Sequence, residues 1–238
     1  MPSKCQNAFS RMELMVLLAS CALLGLLVLP TLASSRNRGQ QITCVDNLRR
    51  IGQAVQQWAD EHENMVSWLT PVSRGGTQSP SKPALPWYEI GAHSNELVSP
   101  KFLVCPSDVQ RAQNAADNWG KTPAGGFYNS QYQNNALSYT VGLHALSLVP
   151  SSFVSSDRNL KADSNGSICG YSGINFASLI NATPQVNTRW TNSIHGQAGN
   201  ILLLDGRVLQ TSNSKLAEYL TSLQSVSENG STLHLLIP

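Results

Sequence analysis

The chain has 238 residues, enough for one large domain or two small ones with a real hydrophobic core. Only 13% of residues are charged, while Ser, Asn and Gln together supply 64, so the surface must be built largely from hydroxyls and amides. The +2 net charge excludes a polybasic nucleic-acid binder or an acidic tail acting through bulk charge, and the 41% apolar content excludes a mostly disordered chain. Leu14 to Ala33 then reads LMVLLASCALLGLLVLPTLA, without a single charge. A helix of that length rises about 30 Å, enough to cross a hydrocarbon core, and predicts one transmembrane segment. No second such stretch follows, which excludes a multi-span protein. Two other readings stand beside a retained anchor. One is a secretory signal cut after Thr31-Leu32-Ala33; the other is a lipoprotein signal at Leu18-Ala19-Ser20-Cys21.

The residues in front of that stretch are specific. Ala8-Phe9-Ser10-Arg11-Met12-Glu13 places a small residue, a Phe and, four residues on, a Glu that opens the apolar run. This resembles the cleavage and methylation signal of type IV prepilins and type II secretion pseudopilins, with Ala8 where Gly is usual and Arg11 where an apolar residue is usual. The resemblance implies cleavage between Ala8 and Phe9 by a prepilin peptidase and methylation of Phe9. It also implies that Glu13 pairs with the terminal amine of a neighbouring subunit. The physics is consistent, because a carboxylate at a bilayer edge is expensive unless paired.

Beyond Arg38 the apolar positions Ile42, Val45, Leu48, Ile51, Val55 and Trp58 recur every three or four residues, while Arg49, Arg50, Gln53, Gln56, Gln57 and Asp60 fall off that stripe. The helix is therefore expected to run from about 9 to 63, kinked at Pro30. Pro71, Pro80, Pro83, Pro86 and Gly75-Gly76 predict a loop over 70–86. Phe102-Leu103-Val104-Cys105-Pro106-Ser107-Asp108 reads as a short buried strand or turn. Residues 109–135 read as an irregular excursion, and Ala136–Leu148 as a strand with Tyr139, Val141 and Leu143 alternating. Asn200–Leu204 is apolar on both faces, which predicts a central strand. Asp205-Gly206 after it predicts a hairpin closed by a two-residue type I′ turn.

Cys44 to Asn64 (CVDNLRRIGQAVQQWADEHEN), the CPSD element at 105–108 and His195, nine residues and Asp205-Gly206 occur in this order. Together they resemble a bacterial prepilin-like family known for an H-X9-DG signature. The resemblance implies a disulfide between Cys44 and Cys105; spacing alone leaves Cys105 with Cys169 open. For His195 and Asp205 the expectation is structural. A calcium site is not expected, since Asp205 is the one obvious carboxylate there and calcium needs several oxygens. The chain carries no Gly-x-Ser-x-Gly elbow, phosphate loop, His-Glu-x-x-His or CxxC pair.

The expected fold is α+β: a long N-terminal helix, partly transmembrane, packed on an antiparallel sheet head with long polar loops. Its parts would be a leader at 1–8, a transmembrane half at 9–33, an amphipathic half at 34–64 and a globular head at 65–238. The expected role is a structural pilin or pseudopilin-like subunit. Its partners would be prepilin peptidase, other pilin-like subunits and the membrane, with no nucleic acid, cofactor, metal or catalytic residue. It would sit in the inner membrane with its head in the periplasm or cell exterior. A signal-anchored or secreted binding module or hydrolase is the alternative.

Overall fold

The computed structural model describes residues 10–79, 84–145, 149–161, 164–165, 177–181, 188–224 and 232–238, with side chains left out at 27, 29–31, 33–34, 162–187 and 223–233. The expected cleavage at Ala8 and Phe9, the leader at 1–8 and Cys169 lie outside the described residues. The chain divides into two compact units, 1–40 and 41–238.

Helix α1 (Arg11–Asp60) is a single helical element through position 30. Its start is a capping box: the Ser10 N–H donates to Glu13 Oε2 at 2.9 Å, and the Glu13 N–H donates to Ser10 Oγ at 3.3 Å. In the first unit its large apolar side chains are exposed, among them Met12, Leu14, Met15, Leu17, Leu18, Leu23, Leu24 and Leu26.

The transmembrane half expected at 9–33, and with it the single-pass inner-membrane localisation, is corrected here. Among the described residues no helix is long and apolar enough to cross a membrane.

In the second unit the apolar stripe of α1 is the spine of the core. Cys44, Val45, Leu48, Ile51, Ala54, Val55 and Trp58 are buried. Ile42, placed on the same stripe by its spacing, is 55% exposed, because the packed part of the helix begins at Cys44. After α1, among the described residues, come three short helices, α2 (Pro86–Gly91), α3 (Ser94–Leu97) and α4 (Val109–Ala112), with short 3-10 turns before α2, between α3 and α4, and after α4. The strands are β1 (Val141–Gly142), β2 (Phe153–Ser156), β3 (Leu160–Lys161), β4 (Ser164–Asn165), β5 (Ala177–Asn181), β6 (Arg189–Trp190), β7 (Ala198–Leu203), β8 (Val208–Ser212) and β9 (Thr232–Leu236); α5 (Asn213–Gln224) lies between β8 and β9.

The fold is α+β, but among the described residues the single sheet head is replaced by three small antiparallel sheets, ordered β1-β9-β5-β4, β2-β7-β8 and β3-β6. The strand expected over Ala136–Leu148 shrinks to Val141–Gly142, with Tyr139 in an isolated bridge to Asp157. β7 is the middle strand of its sheet and shows why its sequence is apolar on both faces. Leu202 enters one core cluster with Leu48, Ile51, Trp68, Leu103, Tyr139 and Val141. Ile201 and Leu203 enter a second one with Phe153, Trp190 and the α5 residues Leu216 and Leu220. Strand side chains alternate faces, so one strand feeds two cores.

The hairpin after β7 also differs from expectation. Leu203 N–H donates to Arg207 C=O and Gly206 N–H donates to Leu203 C=O, so the loop is the three residues Leu204–Gly206. Gly206 alone among them has positive φ, +83°, whereas a type I′ turn needs it at Asp205 as well. This is the three-residue hairpin with a left-handed glycine bulge.

Candidate functional site

The best-built constellation lies where α1, the CPSD element and the start of β7 meet. Cys44, fully buried on α1, is joined by a disulfide to Cys105, also fully buried. Asn47, one turn further along α1, donates from Nδ2 to the Val104 carbonyl at 3.0 Å, a second link from the helix to this segment beside the disulfide.

The Asp that ends CPSD is an anchor in its own right. Asp108 is 1% exposed and receives Arg158 as a two-pronged pair: Nε donates to Oδ2 at 2.6 Å and Nη2 to Oδ1 at 2.8 Å. Ser138 Oγ donates to Oδ2 at 2.9 Å, and the Arg111 N–H at the start of α4 reaches Oδ1 at 3.4 Å.

Next to Arg158 in the chain, Asp157 points the other way. Its Oδ2 accepts from both the backbone N–H and the Nδ2 of Asn200, each at 2.8 Å. The β2–β7 register, which pairs Ser156 with Ile201, brings these two residues together. Asp157 Oδ1 makes no hydrogen bond among the described residues, although the side chain is fully buried.

His195, three residues before β7, turns its Nε2 toward this group. That nitrogen is 3.5 Å from Cys105 Sγ and 3.5 Å from Asp157 Oδ2. Burial pushes the Asp157 carboxyl up to about 7; the Asn200 N–H bonds pull it down and the Asp108 charge lifts it further. Burial pushes the His195 imidazole below its ordinary range, with Asp108 acting in the opposite sense. The 3.5 Å separation by itself would suit an ion pair. Burial of both partners argues for a neutral imidazole facing a partly protonated carboxyl instead. A small cavity of about 180 Å³, lined by Gln41, His195, Gly199, Asn200 and Gln210, opens beside the ring.

The structure thus gathers three of the residues singled out from the sequence, Cys44, Cys105 and His195, and separates the others. Asp205 and Gly206 stand at the far end of β7 from His195. Asp205 binds Arg207 there, through Oδ1 to its N–H at 3.0 Å and Oδ2 to its Nε at 2.7 Å. Gln56 of α1 ties the same hairpin down by donating to the Leu204 carbonyl at 2.7 Å. Glu13 is exposed at the start of α1. Within the signature, Gly199 is explained by packing: a Cβ there would stand 2.5 Å from the Trp190 ring. Sequence reading missed Asp157, Arg158 and Asn200, which no local spacing connects. Asp108 was within reach, as the charged end of a buried motif.

No family model matches the chain, and comparison with curated proteins and with solved structures finds no match.

Proposed function

We propose that this chain is a structural, pilin-like subunit, cut between Ala8 and Phe9 by a prepilin peptidase and assembled side by side with copies of itself or related subunits. The observation that carries this reading is the first part of α1. Met12, Met15, Val16, Leu17, Leu18, Leu23, Leu24 and Leu26 are each more than half exposed and lie on every side of the helix. A helix that is apolar all round must be covered all round, and a bundle of like helices does this with one repeated contact. The second unit adds the support such a subunit needs, a head whose core is locked onto the same helix by Cys44–Cys105.

Cys21 supplies a direct test, being an exposed free thiol in the middle of the apolar run. Mild oxidation of the full chain is expected to yield a dimer joined through Cys21, and sedimentation a species larger than one chain. Leu17→Glu with Leu24→Glu is expected to abolish both. A monomer that does not cross-link would end the assembly reading.

A further inference from the structure

We propose that Cys44, Cys105 and His195 form a zinc site when their disulfide is reduced, so that one cluster alternates between a disulfide and a metal centre. The argument is geometric. The donor atoms of these three residues all lie within 4.8 Å of one another. Zinc holds sulfur at about 2.3 Å and nitrogen at about 2.0 to 2.1 Å, and a tetrahedral angle between those bonds sets sulfur and nitrogen about 3.5 Å apart. Cys105 Sγ and His195 Nε2 are 3.5 Å apart. The same construction for a carboxylate oxygen and a nitrogen gives about 3.4 Å. Asp157 Oδ2 stands 3.5 Å from that same nitrogen.

One imidazole nitrogen therefore faces two different donors at the separations of a tetrahedral edge. A proton relay would use both ring nitrogens, one for each neighbour. A common point between the donors is what a cation occupies. Asp157 provides an independent indication. It is a fully buried carboxylate with one oxygen held by two Asn200 N–H groups and the other without a hydrogen bond among the described residues. A carboxylate buried beside His195 favours a cation at the cluster, while zinc's fourth position is left to water, because Asp157 lies outside the set of donors within 4.8 Å of one another.

The conversion balances. A dithiol reductant transfers two electrons and two protons to the Cys44–Cys105 bond, leaving two thiols, and is itself oxidised to a disulfide. Zinc then binds both sulfurs as thiolates and releases the two protons. Only the two sulfurs must separate, while His195 is already placed. The cavity beside His195 gives the ion a way in. In an oxidising compartment the disulfide form prevails, and in a reducing one the metal form.

The test uses the full chain, reduced with a phosphine, freed of reductant without air and titrated with Co²⁺ and then Zn²⁺. Reduced protein is expected to bind one equivalent of cobalt with a thiolate-to-cobalt charge-transfer band and the visible bands of a tetrahedral ion, both erased by zinc. The oxidised protein should show neither. His195→Ala, which keeps both thiols, should weaken zinc binding at least tenfold. Asp157→Asn, which keeps all three donors, should preserve the charge-transfer band. Where reduction loosens the fold, zinc should restore the near-ultraviolet circular dichroism of the wild type but not of His195→Ala. The proposal is overturned by reduced wild type without the cobalt band, by unchanged affinity in His195→Ala, or by failure of zinc to restore the native signal.

Discussion

The buried titratable residues of the second unit divide into two opposed sets. Glu89 is fully buried, with Thr77 Oγ1 donating to its Oε2, and burial pushes its carboxyl up to about 7 despite that hydrogen bond. The unfolded chain loses the Glu89 proton near 4.5, so between there and 7 the folded state alone keeps it. Its contribution to stability is complete below 4.5 and declines as pH rises through 7, by about 3 kcal/mol. Asp157, pushed up to about 7, acts in the same sense. His93 and His144 act in the opposite one. Burial pushes each imidazole down to about 4, so the unfolded chain alone takes up protons below 6.5 and stability falls as pH drops from 6.5 to 4. With His195 also pushed down by burial, two carboxyls against three imidazoles should leave wild-type stability rising only gently with pH from 4.5 to 6.5. Glu89→Gln, which can still accept from Thr77, removes one descending component, so its stability should climb more steeply with pH across that window. Urea denaturation at four pH values decides this, and parallel profiles for the two proteins would refute it. None of these partnerships is legible in the sequence, because Thr77–Glu89 and His144–His234 are made by tertiary packing. The glycine of the signature was legible in kind but not in register. Asp-Gly serves a two-residue and a three-residue hairpin loop equally, and only the β7–β8 pairing chooses. A Cβ at Gly206 has room, its nearest neighbour being Gln56 Nε2 at 3.5 Å, so Gly206→Val should cost the strain of a β-branched residue at φ +83°, about 1 to 3 kcal/mol. Asp205→Asn loses an exposed pair with Arg207 and should cost under about 1 kcal/mol. Thermal melts of the two variants will rank them.

At the scale of elements, the helical stripe was the most legible feature, because a 3.6-residue period declares itself within one segment. Its packed part, Cys44 to Trp58, is where the period predicts it. The strands were less so, for two physical reasons. Several are only two residues long, too short to show alternation. The longest-range pairing, β1 with β9, joins Val141 to Leu236 across a segment no local pattern spans. What holds these short elements is polar anchoring. Tyr139 Oη donates to the Cys44 carbonyl at 3.5 Å, Trp190 Nε1 donates to Thr211 Oγ1 at 3.0 Å, and Asp108 gathers Arg158, Ser138 and the start of α4. Asp108→Ala would strand the Arg158 guanidinium, 14% exposed, without its carboxylate, and should destabilise the head by about 3 to 5 kcal/mol. Arg158→Ala should cost a similar amount. The double variant should cost clearly less than the two together, because the pair is one unit. Denaturant titration of all four proteins measures the coupling, and strict additivity would show that Asp108 anchors α4 and Ser138 independently of Arg158.

At the scale of the whole molecule, the question is what the exposed apolar part of α1 is for, and Glu13 separates the answers. Its carboxylate has a local role already, closing the capping box with Ser10. Such a cap stabilises a helix start by about 1 kcal/mol and works almost as well with Gln as with Glu. Assembly by way of a neighbour's terminal amine is different, because it needs the negative charge and has no use for Gln. Glu13→Gln therefore keeps the cap and removes the charge, while Glu13→Ala removes both. The proposed subunit function requires that Glu13→Gln match the wild type in helix content by circular dichroism, yet fail to give the larger species in sedimentation and the Cys21 cross-link. Glu13→Ala should fail in assembly to the same degree and lose a little helix besides. If Glu13→Gln assembles like the wild type, the carboxylate is a helix cap and nothing more. Association through Leu17 and Leu24 would then rest on apolar packing without a charge to set the register of neighbouring subunits.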